Sequence, residues 1–98
     1  MMGNVRFHPA ALDDADEAAA WYSRRSARAA IRFLDELDEV IESIAAHPQQ
    51  FPLFESTCRR ALFRRYPFFI VFQDTDDGVI VLAVAHAKRR PRFWLDRS

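Results

Sequence analysis

The sequence predicts an α+β fold in which a helical hairpin near the N-terminus covers one face of a small, mostly antiparallel four-stranded sheet. Three observations support this fold. A short alternating segment opens the chain, two helical patterns follow it, and three segments of strand character come after the helices, giving the order β-α-α-β-β-β. The chain has 98 residues, 50% of them hydrophobic, so it can build one core but not two. Residues 1–98 should therefore form a single domain.

The first strand and the first helix are predicted from the opening residues. Residues 5–8 alternate between apolar and polar side chains up to Pro9, which predicts a short strand with Val5 and Phe7 facing inward. Residues 10–23 then follow a helical pattern whose apolar positions recur at three and four residues: Leu12, Ala15, Ala19 and Tyr22. Four acidic residues, Asp13, Asp14, Asp16 and Glu17, are expected to serve as favourable charges near the N-terminus of this helix and not as paired catalytic carboxylates.

A longer second helix should begin after Ser26, whose side chain is a suitable N-cap. Its expected apolar stripe consists of Ala27, Ala30, Ile31, Leu34, Leu37, Ile41, Ile44 and Ala45, widened by Phe33 and Val40. The helix should end near His47, because a residue before proline disfavours helical geometry and Pro48 has no amide hydrogen to donate. The short connection between the two helices predicts an antiparallel hairpin.

Three strands are expected after the helices. Residues 49–57 lack periodicity and should form a packed loop, whereas residues 59–65, 67–73 and 79–85 have strand character, the first of them imperfectly. Residues 74–78 are rich in turn-forming residues and predict a hairpin loop. The segment 79–85 has no polar side, which predicts a central strand covered on both faces. The hairpin is one cover; the other must be the C-terminal segment, the loop around Phe51 or another protein.

Charge divides the chain into two halves, although the formal net charge is zero. Residues 1–58 contain ten acidic and five basic side chains, and residues 59–98 contain four acidic and nine basic ones. The basic residues of the second half are Arg59, Arg60, Arg64, Arg65, Lys88, Arg89, Arg90, Arg92 and Arg97. This half should face an anionic partner, which could be RNA, DNA or an acidic protein.

Several classes of function receive no support from the sequence. The first twenty residues contain neither a signal peptide nor a membrane span, so we expect a cytoplasmic protein that does not bind membranes. Cys58 is the single cysteine and is interpreted as structural. The histidines His8, His47 and His86 lack ligand spacing, so neither a metal nor another cofactor is expected.

Five stretches of the chain, in this order and spacing, resemble toxins of the RelE/ParE superfamily. They are FHPAALDD at 7–14, IAAHP at 44–48 with FP at 51–52, YPFFIVF at 66–72, VIVLAVAH at 79–86 and AKRRPRFW at 87–94. The resemblance implies the toxin of a type II toxin–antitoxin system, which inhibits growth and is neutralised by a cognate antitoxin protein. The target is implied to be either DNA gyrase, as for ParE-like members, or mRNA on the ribosome, as for RelE-like members.

A RelE-like ribonuclease would need a base, an acid and cations that stabilise the charge on phosphorus. The resemblance places Arg60 and Arg64 on the second strand and Arg89 after the fourth, where some of those cations would lie. His86 could supply the base. The family's remaining catalytic positions fall at Phe69, near Leu62 and near Phe93 or Trp94, none of which can transfer a proton or hold a phosphate.

The incomplete catalytic set favours the ParE-like interpretation, in which the protein binds gyrase and has no enzymatic activity of its own. In that case Arg60, Arg64, Lys88, Arg89, Arg90 and Arg92 form the expected target-binding or anion-binding surface. If the second strand is regular, Arg60 and Arg64 share a face. Two alternatives remain: a ribosome-dependent mRNA endonuclease with His86, Arg89, Arg64 and Arg60 as catalytic residues, and a non-toxic binding module that has lost its target.

Overall fold

A computed structural model describes residues 4–55, 57–89 and 93–97 of the chain. Its helices and strands are β1 (Val5–Phe7), α1 (Pro9–Ser23), α2 (Ala27–Ala46), β2 (Arg59–Leu62), β3 (Phe68–Thr75) and β4 (Gly78–His86). Two short 3-10 helices, Pro48–Gln50 and Phe93–Arg97, complete the described elements. The predicted β-α-α-β-β-β order is confirmed. None of the helices in these ranges is long and apolar enough to cross a membrane.

The four strands form one sheet in the order β1-β4-β3-β2. Strands β2, β3 and β4 are antiparallel neighbours, whereas β1 pairs in parallel with the start of β4, from Val5 opposite Val79 to Phe7 opposite Val81. The α+β class is therefore confirmed, with a mixed sheet. β4 is a central strand, as its unbroken apolar sequence predicted.

Local signals determine where the helices begin and end. The Ser26 hydroxyl accepts a hydrogen bond from the Ala29 amide at 2.9 Å, which confirms the predicted N-cap of α2. α2 ends at Ala46 and His47 is its C-cap. At the start of α1, Pro9 occupies the first turn and His8 Nδ1 accepts from the Ala10 amide at 3.0 Å. His8 therefore has a structural role.

The hairpin between β3 and β4 is tighter than the predicted loop. β3 continues to Thr75 and β4 begins at Gly78, so only Asp76 and Asp77 connect them. Gly78 has a φ of +118°, and a Cβ atom at this position would collide with the Asn4 carbonyl. Glycine is required here by both the backbone conformation and the close approach of the N-terminal segment.

The helical hairpin packs on one face of the sheet. Phe33 is fully buried there and stacks on Tyr22 and Phe63, with ring centroids 5.4 and 5.6 Å apart. Val5 and Phe7 pack against this core, as predicted. The predicted stripe of α2 is too wide, however, because Ile31 and Leu34 remain 59% and 41% exposed. Leu12 on α1 is also exposed.

The opposite face of the sheet is covered by other parts of the same chain. Trp94, in the C-terminal 3-10 helix, is 1% exposed and belongs to a second core cluster with Cys58, Val71, Leu82 and Ala83. Phe54 of the loop before β2 packs against the same cluster. Phe51 instead joins the helix-side core, where its ring lies 5.8 Å from Phe72. The C-terminal segment and the loop therefore supply the second cover that the sequence left open.

Candidate functional site

His86 is the last residue of β4 and lies on the helix side of the sheet. Its Nδ1 accepts a hydrogen bond from the Lys88 amide at 3.0 Å, and its ring packs edge-on against Phe68 at 5.1 Å. Because Nδ1 accepts, the neutral ring carries its proton on Nε2. His86 lines two adjacent grooves of about 480 and 180 Å³, so its ring is accessible from both.

Arg89 follows His86 in the turn after β4 and is held on two sides. Its guanidinium lies 3.3 Å from the Asp14 carboxylate and 3.7 Å above the Phe93 ring. The side chain is still 43% exposed. Arg89 can therefore contact an external anion, but Asp14 already offsets part of its charge.

Asp14 is buried and paired, a role beyond the favourable charge near the N-terminus of α1 that its position predicted. α1 has no acidic residue in its first turn, and Asp14 lies one turn further along with its side chain 5% exposed. Its carboxylate accepts hydrogen bonds from Arg97 at 2.6 Å and from the Val84 amide at 3.1 Å. The helical spacing in the sequence could have indicated this burial, because Asp14 shares the apolar face of the helix with Ala11, Ala15 and Ala18.

Arg97 completes this buried cluster. Its Nη1 donates to Asp14 and also to the Leu82 carbonyl at 3.0 Å. β1 pairs with β4 only as far as Val81, so Leu82 and Val84 lie beyond the end of that pairing. Asp14 accepts from the Val84 amide and Arg97 donates to the Leu82 carbonyl. A longer β1 would form these backbone hydrogen bonds instead. This role explains why an ion pair is buried at this position.

Arg60 lies on the face of the sheet opposite the helices. Its guanidinium sits over the Phe54 ring at 4.2 Å and over the Phe69 ring at 5.4 Å. The geometry corresponds to a cation–π contact, which keeps the charge at the surface while the side chain covers aromatic rings. Arg60 is thus far from the groove that His86 lines.

Arg64 does not lie on the second strand, because β2 ends at Leu62. It belongs to the loop after β2, where the Glu36 carboxylate accepts hydrogen bonds from the backbone amides of Arg64 at 2.8 Å and Arg65 at 3.0 Å. Glu36 is 5% exposed and was not singled out from the sequence. By binding both amides, it holds the chain in a loop instead of a continued strand. Arg60 and Arg64 therefore do not share a strand face.

The candidate cations consequently occupy three separate places. Arg60 covers the sheet face opposite the helices, Arg64 lines a groove between α2 and β2, and Arg89 lies beside α1. Lys88 is exposed between His86 and Arg89. Arg90 and Arg92 lie outside the described residues. Within those residues, no group of three or more His, Cys, Asp or Glu side chains could hold a metal ion.

Two other reactive side chains have shifted acidity. Burial raises the pKa of the Cys58 thiol, and the nearby Glu55 carboxylate raises it further. Burial also raises the pKa of Tyr22, with a further contribution from Tyr66 that Arg25 opposes. Cys58 is 3% exposed, so both its burial and its raised pKa oppose a role as a nucleophile.

Comparison with known proteins supports one family. Residues 5–91 match the family model described as ParE toxin of type II toxin–antitoxin system, parDE. A solved chain of a chromosomal ParDE system from P. aeruginosa superposes with a TM-score of 0.76 at 17% sequence identity, covering 87% of this chain and 96% of that one. No curated protein matches the sequence. Because the family model spans most of its length, this chain belongs to the ParE toxin family of type II toxin–antitoxin systems.

Proposed function

We propose that this protein inhibits growth by binding and poisoning DNA gyrase, and that a cognate antitoxin neutralises it. Gyrase is favoured over RNA as the target because the candidate catalytic side chains lie in separate parts of the protein. Among the described residues, no hydrogen bond or ion pair connects His86 with Arg60 or Arg64, and Arg89 is paired with Asp14. RNA cleavage requires a base and cations around a single phosphate, whereas gyrase poisoning requires only a binding surface.

The remaining positions of the RelE-like pattern also support binding over catalysis. Leu62 is 64% exposed, Phe69 packs edge-on against Phe54 at 5.7 Å, and Trp94 is buried. None of these side chains can transfer a proton or neutralise a phosphate charge at neutral pH. Among the described residues, a nuclease built around His86 would have Lys88 and Arg89 as its neighbouring cations, with Arg89 already paired with the Asp14 carboxylate.

The proposed target-binding surface comprises the cations at and beyond the sheet. Lys88 and Arg89 follow β4, and we assign Arg90 and Arg92 to the same surface on sequence grounds. Arg60 and Arg64 contribute from their separate positions, so the target would have to contact more than one side of the protein. Such a protein would act in the cytoplasm, where gyrase is found.

Induced expression in a bacterial host, with pulse labelling of DNA and protein synthesis in parallel, tests this proposal. DNA synthesis should fail first, and purified protein should cause cleaved DNA to accumulate in the presence of gyrase and ATP. Lys88→Glu should weaken this cleavage by about tenfold through charge repulsion at the interface. Arg6→Glu, an equal charge change at an exposed position on β1, is the matched control.

Failure of protein synthesis before DNA synthesis would contradict gyrase as the target. RNA cleavage that is lost in His86→Ala would then establish the endonuclease alternative. Absence of both effects, with the protein shown to be folded, would favour a binding module without toxicity.

A further inference from the structure

We propose that an aromatic groove between α1 and the adjoining ends of β3 and β4 binds an acidic peptide segment through one large apolar side chain. The aromatic groove is lined by Trp21, Tyr22, Arg25, Pro67, Phe68 and His86. The peptide is assigned to the antitoxin, and this assignment rests on the proposed function. The shape and charge of the groove support the binding site independently of that assignment.

The groove has the properties of a site for an apolar anchor. Its volume is about 480 Å³, within the range of ligand pockets in proteins. Trp21 is 45% exposed and meets the Tyr22 ring edge-on at 5.0 Å. Tyr22 in turn packs on Phe33 and Tyr66 in the core, at 5.4 and 4.9 Å. The aromatic floor is therefore held in place before a ligand arrives, which lowers the entropy lost on binding.

One cation lines this apolar floor, and three more are close in sequence to residues that line it. Arg25 lies over the Trp21 ring at 4.2 Å, Arg24 is exposed beside it in the turn between the helices, and Arg28 is exposed in the first turn of α2. Lys88 is exposed two residues after His86, which lines the groove. Within the described ranges, the ion pairs involve Arg89 and Arg97 with Asp14 and none of these four residues. Arg25 in the groove, with three further cations near its lining residues in sequence and without an ion pair among the described residues, complements an acidic segment.

A peptide fits this arrangement better than a nucleic acid strand. The smaller groove that shares Phe68 and His86 is lined by Glu17, which is exposed, and by Asp14, whose charge Arg89 and Arg97 already offset. A strand with a phosphate at every nucleotide would meet the negative charge of Glu17 where it extended into this groove along α1. A peptide can place one or two carboxylates at Arg25 and Lys88 and leave neutral residues near Glu17.

Selection of short random peptides displayed on phage against the purified protein tests the inference without requiring toxicity. Enriched peptides should carry a net negative charge and an aromatic residue or leucine. Their affinity, measured by fluorescence anisotropy, should fall about tenfold or more in Trp21→Ala and in Arg25→Glu. The matched controls are Leu12→Ala, which removes another exposed apolar side chain of α1, and Arg6→Glu; each should change affinity less than about twofold.

Three outcomes would overturn the inference: enriched peptides without acidic residues, affinity unchanged in Trp21→Ala and Arg25→Glu, or tighter binding of a single-stranded oligonucleotide that displaces the peptides. If expression inhibits growth, a protein selected for restoring growth should also displace the peptide, and lack of displacement would refute the assignment to the antitoxin. If expression does not inhibit growth, peptide binding with the expected pattern would still establish the site. The two proposals therefore fail independently.

Discussion

Two buried carboxylates on the helical hairpin, Asp14 of α1 and Glu36 of α2, stabilise the fold in different ways. They are 6% and 5% exposed, respectively. Asp14 binds two arginine side chains and one backbone amide, and so connects α1 with β4 and the C-terminal 3-10 helix. Glu36 binds two backbone amides of the loop after β2. The first is an ion pair between distant parts of the chain, and the second is a cap for one loop.

Because their partners differ, removal of each carboxylate should affect a different part of the protein. Removing Asp14 would leave Arg97, whose side chain is 14% exposed, without a counter-charge, and an unpaired buried charge is strongly unfavourable. Removing Glu36 would leave two amide groups that water can reach more easily, because the Arg64 and Arg65 side chains are exposed. Asp14 should therefore matter for the whole fold and for the C-terminal segment, and Glu36 mainly for the position of Arg64.

Asp14→Ala is expected to have the largest effect. It should lower the free energy of unfolding by about 3–5 kcal/mol, the usual result of breaking a buried ion pair by removing one partner. Urea denaturation measures the change. Asp13→Ala, at the exposed neighbouring position, should stay within about 0.5 kcal/mol of the wild type. Equal losses in the two variants would contradict a specific role for Asp14.

Glu36→Gln should have a smaller effect, about 1–3 kcal/mol, because the amide keeps one oxygen acceptor but loses the charge and the second acceptor. The same denaturation experiment applies, with Glu42→Gln as the exposed control on α2. If Glu36→Gln destabilised the protein more than Asp14→Ala, the proposed contrast between the two carboxylates would be wrong.

The rate at which a thiol reagent labels Cys58 shows which part of the protein each carboxylate stabilises. Cys58 belongs to the same buried cluster as Trp94, so its thiol reports on release of the C-terminal segment. Arg97→Lys keeps the charge but loses the two-nitrogen contact with Asp14, and should speed labelling under native conditions by about tenfold. Glu36→Gln should leave the rate nearly unchanged. Equal acceleration in both variants would indicate global unfolding instead of local opening.

Alkaline pH should produce the smallest change in the free energy of unfolding, and this change should not depend on Asp14 or Glu36. The pKa values of Cys58 and Tyr22 are raised from ordinary values of 9.0 and 10.0, so the folded state retains these protons when the unfolded state has lost them. Stability contributed by each group is complete below its ordinary pKa and is lost as the pH rises through the raised value. The midpoint of urea unfolding should therefore decrease above pH 9. Tyr22→Phe should reduce this slope, and an unchanged slope would contradict the contribution of Tyr22.

Much of the candidate site could not be located from the sequence. The excess of basic residues after position 58 was readable, and so was the position of His86 at the end of a strand. The sequence did not show that the three candidate arginines lie apart. Each is positioned by a different contact: Arg60 by the Phe54 ring, the Arg64 backbone by the Glu36 carboxylate, and Arg89 by the Asp14 carboxylate. The aromatic groove was also missed, since Trp21 and Phe68 are distant in sequence and no local pattern places their side chains next to each other.

By itself, the sequence determined the identity and order of the helices and strands, the cap at Ser26 and the end of α2 before Pro48. These features depend on periodicity and on neighbours within a few residues. Only the tertiary structure decided the parallel pairing of β1 with β4, the end of β2 at Leu62 and the partner of Asp14. The last depends on Arg97, 83 residues away, and a contact at that distance arises from how the elements pack and not from any local pattern.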